Sequence, residues 1–300
     1  MPDGTSAVWE TRAFQMIYYT PRFRLATLSA PQQQLCSKIG GAPWGLPADL
    51  WPRCCGGYVQ KLVAQLLHQP PMLNLGDPNA VLHLFQCPKC GGTNDDDTGR
   101  AAFILDRRDL GDQPSTPAGY DEPVDGGRPL IGEAFLEGFD QHDDGIPESR
   151  LPDFFDEKRL WRLHREHPEV NWFDYKSVNR FSGSPRWTGN GPGIFLGRGQ
   201  FQWPNFQFLF QLGEEIWIPG QPPHPDDAGC PLFLYDENDL QRTLEPAPGK
   251  ERKNAPFSIS AIEGSEEWWF DYINLASDGT LFVFIDRATK PARVKWFWKR

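Results

Sequence analysis

Lys38-Ile39-Gly40-Gly41-Ala42-Pro43-Trp44 leads into Leu62-Val63-Ala64-Gln65-Leu66, and the same order returns later in the chain. Arg180-Phe181-Ser182-Gly183-Ser184-Pro185-Arg186-Trp187 leads there into Phe208-Leu209-Phe210-Gln211-Leu212. A third echo sets Gly279-Thr280-Leu281-Phe282-Val283-Phe284-Ile285 in the place of Val81-Leu82-His83-Leu84-Phe85. Each copy reads as a base, an apolar residue, a turn of small residues, a proline and a tryptophan, then a strand ending in Gln-Leu. Three echoes in one order point to an internal duplication.

The glycines of the first copy invite comparison with a phosphate cradle, which needs converging backbone N–H groups and a helix starting immediately afterwards. Here Gly45-Leu46-Pro47 and Trp51-Pro52 follow, so no helix can begin on that schedule. The stretch reads instead as a structural corner. Gly40 and Gly41 supply positive φ, Pro43 fixes the exit, and Trp44 anchors the loop in the core. Lys38 and Arg180 precede the two corners and either pair with a carboxylate across the pseudo-repeat or lie solvated.

The 300 residues include 29 Gly and 29 Pro, too many interruptions for long helices. With 12 Trp and 21 Phe available for packing, the expected fold class is α+β. We expect mainly antiparallel β-sheet from two duplicated halves, with a few short helices. Alternating apolar residues around Phe14-Gln15-Met16-Ile17-Tyr18-Tyr19 predict an opening strand. Val59–Leu66, Val81–Gln86 and Ala101–Leu105 predict three more. Phe154–His164 is the best helix candidate, ended by Pro168. Acidic residues outnumber basic ones from Asp106 to Glu157, which reads as a solvated connector. The expected organisation is an N-terminal half over 1–110, an acidic connector over 111–158 and a C-terminal half over 159–300, which together could form one compact domain.

A formal net charge of −10 disfavours nucleic acid and anionic lipid and favours a basic protein partner. No segment is apolar for the ~18 residues of a membrane span. Met1–Arg12 lacks a basic region followed by an apolar run, so a cytoplasmic location is expected. The basic-aromatic alternation of Arg293–Arg300 reads as an edge strand with its aromatic face buried.

Six cysteines without a signal peptide suggest thiols or a metal site rather than a disulfide framework. Cys87-Pro88-Lys89-Cys90-Gly91-Gly92 has the spelling of a zinc knuckle. Together with Cys54 and Cys55 it makes a candidate structural zinc set, against which stands a metal-free remnant. Asp95-Asp96-Asp97 lacks the spacing of a calcium loop and reads as a solvated turn. His164 and His167 are three apart, not the four of a zincin helix, and read as helix-end histidines. Trp268-Trp269-Phe270 is part of the aromatic surplus. The pairs Glu214-Glu215 and Glu266-Glu267 lie beside aromatic strands. No nucleophile elbow or triad order is present, and no catalytic residue is assigned.

The run KIGGAPW, then Trp51-Pro52-Arg53-Cys54, then Leu62–Leu66, then Leu82-His83-Leu84-Phe85-Gln86-Cys87 resembles the YwqG-like bacterial family of unknown function. It is similar, more distantly, to the N-terminal half of the programmed-cell-death-2 proteins. The resemblance covers about half the chain, clearest from Ser37 to Leu105. It implies a duplicated, sheet-dominated fold, no transferable catalytic residues, and an immunity-like or chaperone-like binder of a toxin domain or ribosomal-protein-like client. In that family a Cys-x-x-Cys follows the Trp-Pro turn, where this chain has Cys54-Cys55-Gly56-Gly57. The long acidic connector and the proline-rich Ile218–Pro225 also depart from the pattern. Two functional readings follow: a non-catalytic module presenting an acidic surface to a basic protein, and an enzyme or small-ligand binder with an aromatic pocket between the halves.

Overall fold

Short apolar runs between glycine and proline turns can satisfy their backbone only by pairing with one another, and the pairing here builds two sheets. The computed structural model describes residues 15–89, 99–117, 120, 132–170, 172, 178–187, 203, 205–213, 215–230, 232–236, 239–246, 258–271 and 279–299. The first half supplies β1 (Gln15–Leu25), β2 (Lys38–Ile39), β3 (Lys61–Leu67), β4 (Ala80–Gln86) and β5 (Arg100–Asp106). A 14-residue strand follows, β6 (Ala134–Pro147). The second half supplies β7 (Arg180–Phe181), β8 (Gln207–Gly213), β9 (Glu215–Pro219), β10 (Leu232–Asp236), β11 (Asp239–Pro246), β12 (Ser258–Ile262), β13 (Glu267–Asp271), β14 (Thr280–Asp286) and β15 (Arg293–Lys299). The fold is therefore mainly antiparallel β, as expected, with few and short helices.

Ten strands form one antiparallel sheet in the order β15-β14-β8-β7-β1-β6-β2-β3-β4-β5. Strands β1 and β6 pair along most of their length at its centre. On either side the order is a two-residue strand, the Gln-Leu strand, and a hairpin. The sheet curls until its ends touch. Trp296 Nε1 donates to the Ala101 carbonyl at 3.2 Å, and the Arg100 guanidinium lies over the Trp296 ring. Strand β15 is thus terminal, as expected, but β5 lies against it, which protects an otherwise open edge.

The interior of the roll holds Ile39, Val63, Leu66, Leu82, Leu84, Phe181, Phe210, Leu212, Leu281 and Val283. A second sheet, ordered β11-β10-β12-β13-β9, is inserted between β8 and β14. Its strands are antiparallel apart from the β10–β12 pair. It adds Ile216, Ile218, Ile259, Ala261, Trp268 and Phe270 to the same core. Trp268 and Phe270 are therefore core residues, while Trp269 stacks on Trp217 and Tyr235 on the opposite face. The short helix α2 (Pro225–Ala228) closes the proline-rich segment. It docks on the loop after β1, where Asp227 accepts from the Ser29 N–H and Oγ at 2.9 and 2.8 Å.

The acidic connector is corrected by β6. Its apolar positions Ala134, Phe135, Phe139 and Ile146 pack inward or against aromatic partners. Its acids face bases: Glu137 meets Arg24 at 2.8 Å and Asp140 meets Arg22. Opposite charges across an antiparallel pair stabilise it, so a charge count that suggested solvation belongs to a central strand. One hydrogen-bonded sheet runs through all three expected segments, with β1 against β7 and β6 against β2.

The helix begins later than expected. Residues Glu148–Phe155 form a 3-10 segment, and α1 spans Glu157–Glu166. Asp156 accepts from the Arg159 N–H at 3.0 Å, and this N-cap fixes the start. Leu160 and Leu163 face a second core cluster with Phe154, Trp187, Phe282, Phe284 and Phe297. No helix among the described residues is long and apolar enough to cross a membrane.

Candidate functional site

Two corners flank the central strand pair, and their backbone bonding is the same bond for bond. In the first, Lys38 lies opposite Gln65 and Ile39 opposite Ala64. The chain turns through Gly40 and Gly41 at φ 63° and 64°, where glycine has no steric penalty. The Gly40 N–H reaches the carbonyl of Val63 at 2.9 Å, and Val63 is the extra residue of a bulge between Leu62 and Ala64. Gln65 locks the loop. Its Oε1 accepts from the Trp44 N–H at 2.7 Å, and its Nε2 donates to the Cys36 carbonyl at 3.0 Å.

In the second corner Arg180 lies opposite Gln211 and Phe181 opposite Phe210. Ser182 and Gly183 have φ 60° and 68°. The Ser182 N–H reaches the carbonyl of Leu209 at 2.9 Å, again the extra residue of a bulge. Gln211 accepts from the Arg186 N–H at 2.7 Å and donates to the Arg186 carbonyl at 3.2 Å. These bonds align Arg186 with Trp44, so the two tryptophans are offset by one position. Duplication is the economical account of the repetition and stands as a proposal.

The corners differ in charge, and the difference settles whether Lys38 and Arg180 are solvated. Both are completely buried, and both meet carboxylates from the acidic segment. Lys38 Nζ donates to Glu133, to the Ala42 carbonyl and to Gln32 Oε1. Burial lowers its pKa, and Glu133 acts in the opposite direction. In the second corner Arg180 stacks over Tyr18 at 3.7 Å. It shares the buried Asp144 with Arg186, at 3.2 and 2.9 Å. Ser184 Oγ also donates to Asp144, at 3.1 Å.

Two guanidinium groups thus share one carboxylate, and Arg186 Nε and Nη1 carry no hydrogen bond among the described residues. Burial, then the Arg180 charge, lowers the Arg186 pKa to about 10. His164 stacks on Trp172, over whose ring the Arg186 guanidinium also lies. Burial and the Arg186 charge take its pKa to about 4. His167 instead lies 3.0 Å from Glu169.

Beside the second corner a cavity of about 980 Å³ opens along the seam. Its walls come from the start of β1, the Pro70–Asn74 loop of the first half, the 3-10 segment, Ser182 and Gly183, the start of β8, and Arg287. Met16, Met72, Phe155, Phe206 and Phe208 supply its apolar lining, Gln15, Asn74, Ser182 and Gln207 part of its polar lining, and Glu148 and Arg287 are its charged residues. A Cβ on Gly183 would lie 2.9 Å from the Ile17 carbonyl oxygen, so the close approach of corner and β1 that shapes this wall requires glycine. Arrangements of this kind bind ligands, since apolar walls supply affinity and a few polar groups supply orientation.

The cysteine set falls out differently. Cys54 and Cys87 are buried and Cys55 is exposed, while Cys90 lies outside the described residues. The two turns adjoin, because Lys89 Nζ reaches Tyr58 Oη at 3.0 Å, and the Lys89 N–H points at Cys87 Sγ at 3.4 Å. Among the described residues no three potential ligands cluster closely enough to hold a metal. Asp95, Asp96 and Asp97 also lie outside the described residues, as does Glu214. Glu133, Asp144 and Arg287 were not singled out from the sequence. The signal available for the first two was an acidic segment whose apolar residues still alternate. Arg287 carried none.

No family model matches the chain, and no curated protein matches it.

His83 offers a direct test of the corner alignment. It lies opposite Gln65, as Phe282 lies opposite Gln211, so it occupies the place of a phenylalanine. It is wholly buried and stacks beside Phe85 and Phe103, which leave its ring no charged partner among the described residues. Burial takes its pKa from 6.5 to about 4. The unfolded chain therefore takes up the proton first. Stability from the neutral ring is complete above pH 6.5 and declines as pH falls towards 4, by about 3 kcal/mol in all. His83→Phe is expected to match the parent at pH 7.5 and to exceed it by about 2 kcal/mol near pH 4.5. Urea midpoints at the two pH values check this, and parallel losses in both proteins would refute it.

Proposed function

We propose that this protein is a binding protein whose ligand occupies the cavity along the seam between the halves. The observation that carries the reading is the cavity itself, about 980 Å³ and bounded by elements of both halves. That volume is at the upper end of what small-molecule sites use. The locked second corner, through Ser182 and Gly183, gives the cavity part of a pre-formed wall, which reduces the ordering cost of binding. The acidic segment, by contrast, turns four of its carboxylates, Glu133, Glu137, Asp140 and Asp144, onto bases of the same chain, which leaves less of it to face a partner.

A second reading, an immunity-like or chaperone-like module for a basic toxin domain or ribosomal-protein-like client, is favoured by the net charge of −10. The resemblance to the YwqG-like and programmed-cell-death-2 proteins supports it and stands as a proposal, as do a structural zinc and a cytoplasmic location.

The test uses the neutral fluorophore N-phenyl-1-naphthylamine. Saturable one-site binding is expected for the native protein. Met72→Trp, which places an indole in the cavity, should weaken that binding at least tenfold, or about 1.4 kcal/mol, with an unchanged melting temperature. Absence of saturable binding, or equal binding by Met72→Trp, would overturn the proposal.

A further inference from the structure

The geometry points to an amphipathic organic anion as the ligand of the seam cavity, with its apolar body against Met72, Phe155 and Phe208 and its anionic head on Arg287. This inference rests on the reading of that cavity as the binding site. Arg287 directly follows β14 and borders both the large cavity and a neighbouring one of about 220 Å³. Its Nε donates to the Asn74 carbonyl at 2.8 Å and its Nη1 to Gln207 Oε1. Both acceptors are neutral. The buried or half-buried Arg150, Arg180 and Arg186 each meet a carboxylate, whereas Arg287 meets none among the described residues.

Burial lowers the pKa of Arg287, the mark of a charge partly withdrawn from water without compensation. A guanidinium remains protonated all the same, so an anion bound beside it would offset that cost. Of the acids bordering the two cavities, Asp106 is bound to Arg108 at 2.5 Å and Asp77 accepts from the Asn79 N–H, while Glu148 lies exposed on the 3-10 segment of the large cavity's wall. The two neutral acceptors hold Nε and Nη1, which leaves Nη2, without a hydrogen-bond partner among the described residues, as a donor for a ligand. A single charged donor held in this way suits one oxygen of a carboxylate, sulfonate or phosphate head.

The probes are a matched pair, N-phenyl-1-naphthylamine and its sulfonated counterpart 8-anilinonaphthalene-1-sulfonate, titrated into the native protein, Arg287→Gln and Arg287→Lys. The native protein should bind the sulfonate more tightly than the amine. Arg287→Gln should lose about tenfold for the sulfonate, the worth of one charge-assisted hydrogen bond, and change less than twofold for the amine. Arg287→Lys should retain most of the preference, and it carries the test should the glutamine variant fail to fold. Equal losses for both probes, or none for either, would overturn the role of Arg287 while leaving the cavity reading intact. Failure of the native protein to bind either probe would remove both.

Discussion

Asp144→Asn is expected to destabilise the protein by about 3–5 kcal/mol, the range for removing one partner of a buried charge pair. Asp144 is completely buried, accepts from Arg180, Arg186 and Ser184, and is the only carboxylate among the described residues that meets either guanidinium. Asparagine preserves the shape and one acceptor, so the loss reports on charge. Arg186 would then remain buried with no carboxylate partner among the described residues. Arg186→Met removes the less compensated of the two, and the double variant Asp144→Asn/Arg186→Met should therefore be more stable than Asp144→Asn alone. Urea denaturation of the four proteins measures this as a double-mutant cycle. A loss below ~1 kcal/mol for Asp144→Asn would show that water reaches the site and that the charge account is wrong.

Gln211→Leu should cost about 4 kcal/mol, with roughly half from each backbone group it orphans. Its amide satisfies the N–H and the carbonyl of Arg186, a residue that is 6% exposed, and leucine can satisfy neither. Gln65→Leu should cost less, because one of its partners, the carbonyl of half-buried Cys36, lies nearer to water. Thermal melts compare the two. Equal losses would mean that exposure at Cys36 is irrelevant, and a larger loss for Gln65→Leu would contradict the assignment. Amide hydrogen exchange at Arg186 gives a second readout, since its protection should fall in Gln211→Leu.

The strands around the corners were legible because their signals are local. Apolar runs of five to seven residues between glycine and proline punctuation can only be buried strands, and Lys61–Leu67, Ala80–Gln86 and Arg100–Asp106 agree with the expected runs to within about two residues. Helix α1 was legible from its apolar spacing. Its start was displaced by Asp156, whose capping bond is stronger than the propensity of Phe154 and Phe155. Strand β6 was not legible, because Glu137, Asp140 and Asp143 outweigh its apolar residues in any count along the chain. Only the arginines of β1, 113–118 residues away in sequence, make those charges acceptable in a strand.

The sequence by itself determined the two corners, the Gln-Leu strand after each, and a β-dominated fold, since φ, strand pairing and turn chemistry depend on residues close together in the chain. Tertiary structure alone decided which carboxylate meets which buried base, that Arg186 rather than Trp187 corresponds to Trp44, and that Arg287, which meets no carboxylate among the described residues, borders a cavity lined by both halves. Those outcomes depend on Coulomb and packing energies between residues brought together only when β1 and β6 close the sheet, and such energies follow distance in space, not order in the chain.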